Sequence, residues 1–298
     1  AANKKAFENL ALAGGFDSFS PTHRSQYFNP DGEGITFLEK VMRFGSKYQE
    51  SKNSSQTNLF GSQSDEVYQE LKIPYCDPWE NLEKLKREKE VVGIYISGHP
   101  LDDYKKEMDF FTTNRLSVLK DLRPLVNKTL FFGGIINSID HLESKNNKGW
   151  GKFVLEDFKD QYEFKIFGEE YLKFKHFIGM NLFIRLKINV REGWTNRETG
   201  RVGEPRVQFL NFEMLQDAVN NNSKKITLQL DIRTLEPPAI EKLKKELKGF
   251  RGDKPLFFDV IDPEKSVKLT LSSRKQKVNI STEFLNHLES NSWHYKLN

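Results

Sequence analysis

The sequence predicts a multidomain α+β protein, with a helical N-terminal part and linker, a five-stranded β-barrel and a small C-terminal α+β domain. Three observations predict it. The 298 residues exceed what one small core organises. Apolar spacing is helical before Pro100 and changes to a period of two between Thr129 and Glu213. Polar breaks at 46–66 and at Asn220-Asn221-Asn222-Ser223 separate these regimes from each other and from the tail.

The first element is a helix from Asn3 to Ala13, with Phe7, Leu10 and Ala11 at helical spacing. Gly14-Gly15 stops it, and Ser20-Pro21 offers a cap and a first-turn proline for a second helix. The stretch SKYQESKNSSQTNLFGSQSDE, 46–66, has almost no apolar content beyond Tyr48 and the pair Leu59-Phe60, and is expected to be a loosely held linker. From Pro78 a helix carrying Leu82, Leu85 and Val92 on one face is expected to run to Gly98-His99-Pro100.

Five strands follow, at about 129–139, 150–157, 161–167, 180–191 and 205–213, with a short helix at 169–175 before the fourth. Alternation is clearest where Leu182, Ile184, Leu186, Ile188 and Val190 interleave with Phe183, Arg185, Lys187, Asn189 and Arg191, which predicts a half-buried strand with a polar outer face. Five strands with a helix before the fourth is the order of an OB barrel. The tail reads as a strand at 226–232, a helix at 237–250, strands at 256–261 and 266–271 and a helix at 281–288. The domains expected are 1–45, a linker 46–77, a helical connector 78–125, the barrel 126–217 and the tail 218–298.

Composition narrows the function classes. Hydrophobic residues make up 37% and charged residues 30%, and no apolar run approaches a membrane span. The start, Ala1-Ala2-Asn3-Lys4-Lys5, has neither an initiator methionine nor an apolar leader, so a piece of a longer cytoplasmic chain is expected. The single cysteine, Cys76, excludes an internal disulfide and a cysteine-based zinc site, and a structural role is favoured over a nucleophile. His99 sits at a helix stop and is favoured as a turn residue over a general base. Carboxylates interleaved with lysines, as in Lys86-Arg87-Glu88, read as solvated helix faces. With no Walker, GxGxxG, HExxH or GxSxG pattern, no catalytic residue, no bound metal and no cofactor are expected.

The net charge of +4 permits nucleic-acid binding, and the barrel concentrates the candidates. If Phe153, Leu155, Tyr162, Phe164 and Ile166 point inward, then Trp150, Lys152, Lys165 and Phe167 point outward. Rings and lysines together suit single-stranded nucleic acid, because bases stack while lysines follow phosphates. Loop HLESKNNKGW adds Lys145 and Lys148, and loop REGWTNRETGRVGEPR adds Arg191, Trp194, Arg197, Arg201 and Arg206. The competing reading is that a basic protein has basic loops and that Trp194 covers a barrel end. Gly14 and Gly15 could present backbone amides to a phosphate with Arg24 nearby, as helix-hairpin-helix turns do, or could form a plain helical corner. Leu59-Phe60 is either a docking peptide or a pair folded onto a neighbouring domain.

Four segments, NKKAFENLALAGGFDSF, QTNLFG, REKEVVGIYISGHPLDDY and the run from FFGGIINSI through FVLEDFKDQYEFKIF, resemble the bacterial DNA polymerase III alpha subunit in order and spacing over about the first 215 residues. The resemblance implies the C-terminal part of a DNA-directed DNA polymerase, a nucleotidyltransferase whose magnesium-binding palm lies upstream and has no counterpart here. It further implies that the beginning is a helix-hairpin-helix remnant that grips duplex DNA. Gln56, Leu59 and Phe60 would bind the sliding clamp, Thr57 standing where the family often has leucine. The barrel would be an OB domain near single-stranded template, and the tail would contact the clamp loader's tau subunit within the polymerase holoenzyme, with no membrane partner. The rival expectation is a stand-alone OB module that binds RNA or protein.

Overall fold

The computed structural model describes residues 3–19, 21–53, 71–143, 149–194 and 202–298. The chain forms two compact units, 1–100 and 101–298. The connector expected at 78–125 is thus divided between them.

The first unit is helical. Helix α1 spans Lys4–Leu12, where Asn3 accepts from the Ala6 amide as its cap. Helix α2 spans Arg24–Phe28 and begins later than Ser20-Pro21 implied, because the Gln26 side chain reaches back to the His23 amide at 2.9 Å. Helix α3 spans Phe37–Asn53, and Thr36 and Glu39 exchange backbone and side-chain hydrogen bonds at its start. It therefore occupies the first residues of the expected linker. Phe37, Leu38, Val41 and Met42 anchor its first half on Ala11 and Tyr27, and each further residue then adds a hydrogen bond to an established nucleus. Helix α4 spans Asn81–Val92 and ends at Gly93, whose φ of 87° supplies the left-handed cap, well before the Pro100 stop that the pattern predicted.

The second unit begins with helix α5, Lys105–Phe111, and then builds a sheet from β1 (Thr129–Glu143), β2 (Gly149–Glu156), β3 (Gln161–Phe167), β4 (Phe183–Arg191) and β5 (Arg206–Met214), with α6 (Gly168–Phe174) between β3 and β4. All pairings are antiparallel and the order is β3-β2-β1-β4-β5. The expected strands and helix are present. The sheet does not close into a barrel: no ladder joins β3 to β5 among the described residues. Helix α6 packs against β2, β3 and β5, and Glu170 on it accepts from the Phe209 amide of β5 at 3.4 Å, which occupies an edge group that closure would need. Phe132, Phe153, Phe164, Phe209 and Phe212 fill the concave side.

The outer face of β4 departs from the alternation argument at one position. Arg185 is buried, because α5 lies over it: its Nε donates to the Phe111 carbonyl at 2.5 Å and its Nη1 to Glu213. Gly133, opposite Arg185 on β1, is required by the same packing, since a Cβ there would collide with Met108 of α5. The tail contains α7 (Ala218–Asn222), β6 (Ile226–Asp231), α8 (Pro237–Gly249), β7 (Arg251–Asp262), β8 (Val267–Val278), α9 (Thr282–Ser290) and β9 (His294–Leu297). Its sheet runs β8-β7-β6-β9, with β6 parallel to β7 across the α8 crossover. The short β9 is an element the sequence pattern does not announce.

Candidate nucleic-acid interface

The outer face of β1, β2 and β3 carries the candidate site. Phe153, Leu155, Phe164 and Ile166 are buried, and Tyr162 packs against the same core, so the alternate residues face away from it. In register, Trp150 opposes Phe167 and Lys152 opposes Lys165. The two rings stack with centroids 5.2 Å apart and planes 19° from parallel, and Phe167 is 55% exposed. Leu142 pairs with Trp150 across the β1–β2 ladder and is itself exposed. An apolar row, Leu142, Trp150, Phe167, thus crosses three strands. Leu142 lay beyond the predicted end of β1; the signal was the alternation continuing through Asp140 and Leu142.

The adjoining row is charged. Lys152 and Lys165 stand directly opposite each other, an arrangement that repels and lowers sheet stability unless an anion answers it. Two carboxylates answer in part. Asp140, in register with Lys152, holds its ammonium at 3.0 Å and raises its pKa, while Glu163 lies 3.6 Å from Lys165.

A second pair of like charges ends the β4–β5 ladder, where Arg191 opposes Arg206. Arg191 donates to Gln208 at 2.8 Å, and the Arg206 guanidinium lies 4.4 Å from the ring centre of Trp194, which is 75% exposed. Trp194 does not cap a core. On the neighbouring helix, burial raises the pKa of Glu170, against the Phe209 amide and the charge of Arg206. Lys145, Lys148, Arg197 and Arg201 lie outside the described residues, as do Gln56, Leu59 and Phe60.

Gly14, Gly15 and Arg24 have a different setting. Arg24 is only 7% exposed, and its guanidinium meets Asp17 at 2.7 Å, Glu88 at 3.1 Å, the Leu12 carbonyl at 3.0 Å and Ser97 at 3.0 Å. Gly14, with φ 87°, makes room for it, because a Cβ at this position would run into the guanidinium. Gly15 continues the turn, its amide bonded to the Leu10 carbonyl at 2.8 Å. Arg24 is therefore committed inside the first unit rather than presented to a phosphate. Glu88, expected on a solvated face, is fully buried. Burial opposes its charge, but the Ser97 hydroxyl, the Ser97 and Ile96 amides and Arg24 hold its pKa down to about 2. His99 lies edge-on to Tyr95, 4.9 Å between ring centres.

Comparison with known proteins adds a likeness. Residues 226–298 match the family model for the C-terminal domain of the DNA polymerase III alpha subunit. DNA polymerase III subunit alpha from Borreliella burgdorferi is 29% identical over 287 residues, covering 91% of this chain. The Campylobacter jejuni protein of the same name is 27% identical over 87% of the chain. Together these matches support a C-terminal region of a DNA polymerase III alpha subunit. The Treponema pallidum relative is 30% identical over 165 residues, 55% of the chain. The chain spans 23% of the Borreliella protein and 21% of the Campylobacter protein, about a fifth of the length of these relatives. It corresponds to their C-terminal region. No helix among the described residues is long and apolar enough to cross a membrane, and no group of three or more His, Cys, Asp or Glu among them could hold a metal ion.

Proposed function

We propose that this chain is the DNA-binding and partner-binding C-terminal part of a replicative DNA polymerase, and that its β1–β5 domain holds single-stranded template on the outer face of β2 and β3. The observation that carries this reading is the Lys152–Lys165 pair beside the stacked Trp150 and Phe167. A sheet gains nothing from opposing two cations, whereas a polynucleotide answers both features at once, its phosphates along the lysines and its bases against the rings. The Arg191–Arg206 pair with Trp194 repeats the combination at the base of the β4–β5 loop.

The strand order supports an OB assignment of the partly open kind, with the two loops serving as ligand arms. In this reading Gln56, Leu59 and Phe60 attach the polymerase to the sliding clamp, and the tail contacts the clamp loader's tau subunit. Duplex binding by residues 1–45 rests on the resemblance alone, because Gly14 and Arg24 serve each other. Synthesis itself belongs to upstream parts of the polymerase, with their magnesium. Fluorescence anisotropy of labelled oligothymidylate, titrated with the chain and with Trp150→Ala/Phe167→Ala, tests the reading: binding lost in the variant supports it, and binding unchanged overturns it.

A further inference from the structure

The β7–β8 arm carries an apolar row that its own domain leaves open. In register, Phe258 faces Leu271, Val260 faces Leu269 and Asp262 faces Val267, while the β6 ladder sets Leu228 beside Phe258 and Leu230 beside Val260. Residues opposite one another share a face, so this row continues the side of the sheet whose buried residues Ile226, Leu228 and Leu256 pack with α8 and α9. Burial falls along it. Leu228 is sealed, Phe258 and Val260 are half-buried, and Val267, Leu269 and Leu271 are 55%, 56% and 46% exposed. β8 is also the edge of its sheet, so one side of its backbone has no neighbouring strand among the described residues.

Scattered surface aliphatics need no explanation, but three at alternate positions on an edge strand form the template that an added strand completes. The charge on the arm decides what kind of strand. Between 263 and 277 the cations Lys265, Lys268, Arg274, Lys275 and Lys277 stand against one carboxylate, Glu264. Lys268 is answered by the buried Asp259 at 2.7 Å on the opposite face; the other four form no ion pair among the described residues. A second copy of the arm would bring like charges together, which disfavours self-pairing. The strand VKLTLSSRKQKV has no aromatic ring, so it lacks the platform on which single-stranded bases stack.

We infer that β8 is the docking edge for an extended segment of a partner protein, whose apolar side chains at alternate positions cover Val267, Leu269 and Leu271 and whose acidic continuation meets the cations Arg274, Lys275 and Lys277 beyond the register shift in β8. The inference rests on the reading of the tail as a partner-binding domain and gives that partner a chemistry and a place. Backbone pairing along the edge supplies affinity, and the apolar row followed by the basic end of the arm supplies selection.

The test is a nuclear magnetic resonance titration of the isotope-labelled 298-residue chain with an acetylated peptide of about ten residues, alternating serine and valine and ending in glutamates, its counterpart ending in lysines, and oligothymidylate. The acidic peptide is expected to shift amides of 267–277, and the other two are expected to leave them in place. Leu269→Ser/Leu271→Ser and Lys275→Glu/Lys277→Glu each remove exposed groups, so spectra elsewhere stay native, and each is expected to weaken the acidic peptide about tenfold or more. Peptide shifts that survive both variants overturn the inference. So do arm shifts caused by oligothymidylate, which would make the arm a nucleic-acid surface, and concentration-dependent broadening confined to the arm, which would make it a self-association surface. Purified tau subunit separates the two levels of the argument: tau binding that survives both variants overturns the β8 edge while leaving the tail reading intact, whereas tau binding lost in both supports both.

Discussion

Trp150 and Phe167 lie opposite each other on β2 and β3 and stack with 5.2 Å between ring centres, on the face of the sheet turned away from its core. Removing either ring costs that core nothing, since Phe153 and Phe164 fill it from the other side. Trp150→Ala and Phe167→Ala are therefore expected to fold with unchanged thermal midpoints and to weaken oligothymidylate binding by about 1–3 kcal/mol for each ring that stacks on a base. Trp194→Ala extends the same measurement to the β4–β5 loop. Anisotropy curves identical to the parent for all three changes would remove these rings from the interface.

Asp140 and Lys152 make the salt dependence specific. Single-strand binding should follow a log–log salt slope of about −0.7 for each phosphate contacted. Asp140 already occupies the Lys152 ammonium at 3.0 Å. Asp140→Asn is expected to free that cation, tighten binding at low salt and steepen the slope by about one contact, and adding Lys152→Ala to Asp140→Asn to remove that gain. A slope that responds to neither change would place the phosphates elsewhere.

How much of this was legible in the sequence follows from the range of the forces involved. The five strands around the Phe153 core were readable because alternation is a local consequence of the pleat. The open β3–β5 side was not, because it depends on where α6 packs against β2, β3 and β5, a contact between segments far apart in sequence. Trp150, Lys152, Lys165 and Phe167 were placed on one face by parity alone, and their pairing followed from a register the loop lengths did not fix. Arg185 obeys the same parity yet is buried, since what covers it is the Phe111 end of α5. Glu88 was misread for a similar reason: its neighbours Lys86, Arg87 and Lys89 look like a solvated helix face, while its ion-pair partner Arg24 is 64 positions away.

The Glu88 carboxylate gives a pH signature. Its folded pKa of about 2 lies below the ordinary 4.5, so the folded state binds the proton less well than the unfolded chain. A depressed carboxylate stabilises fully above its unfolded value, and that stability is lost as pH falls from about 4.5 toward 2. Glu88→Gln is expected to cost about 3 kcal/mol at pH 7, since it removes one of the two carboxylates that face Arg24 and the charge that the Ser97 and Ile96 amides stabilise. The difference from the parent should shrink as the pH is lowered through that window. Denaturant titrations at several pH values check it, and a constant difference down to pH 3 would show that the charge of Glu88 does not contribute.

The clamp-binding proposal predicts a separation of activities. Leu59 and Phe60 stand in a polar tract, QTNLFG, where no local apolar period explains them. Burying each in a pocket on the clamp would contribute roughly 1.5–3 kcal/mol before the cost of ordering the segment is subtracted. The isolated peptide should therefore bind modestly, and the assembled polymerase should gain from a second contact through DNA threaded in the clamp. Gln56 would fix orientation through its amide, a hydrogen bond worth about 1 kcal/mol. Leu59→Ala/Phe60→Ala is expected to abolish clamp capture while the affinity for oligothymidylate, carried by Trp150, Phe167 and their lysines, stays at the parental value. Both are measured on one preparation. Clamp affinity that survives the double change places the contact elsewhere, because no hydrogen bond from Gln56 alone offsets the loss of two buried side chains. Joint loss of clamp and oligothymidylate binding would signal a folding defect, and a circular dichroism melt on the same sample distinguishes that from a docking surface shared by the two ligands.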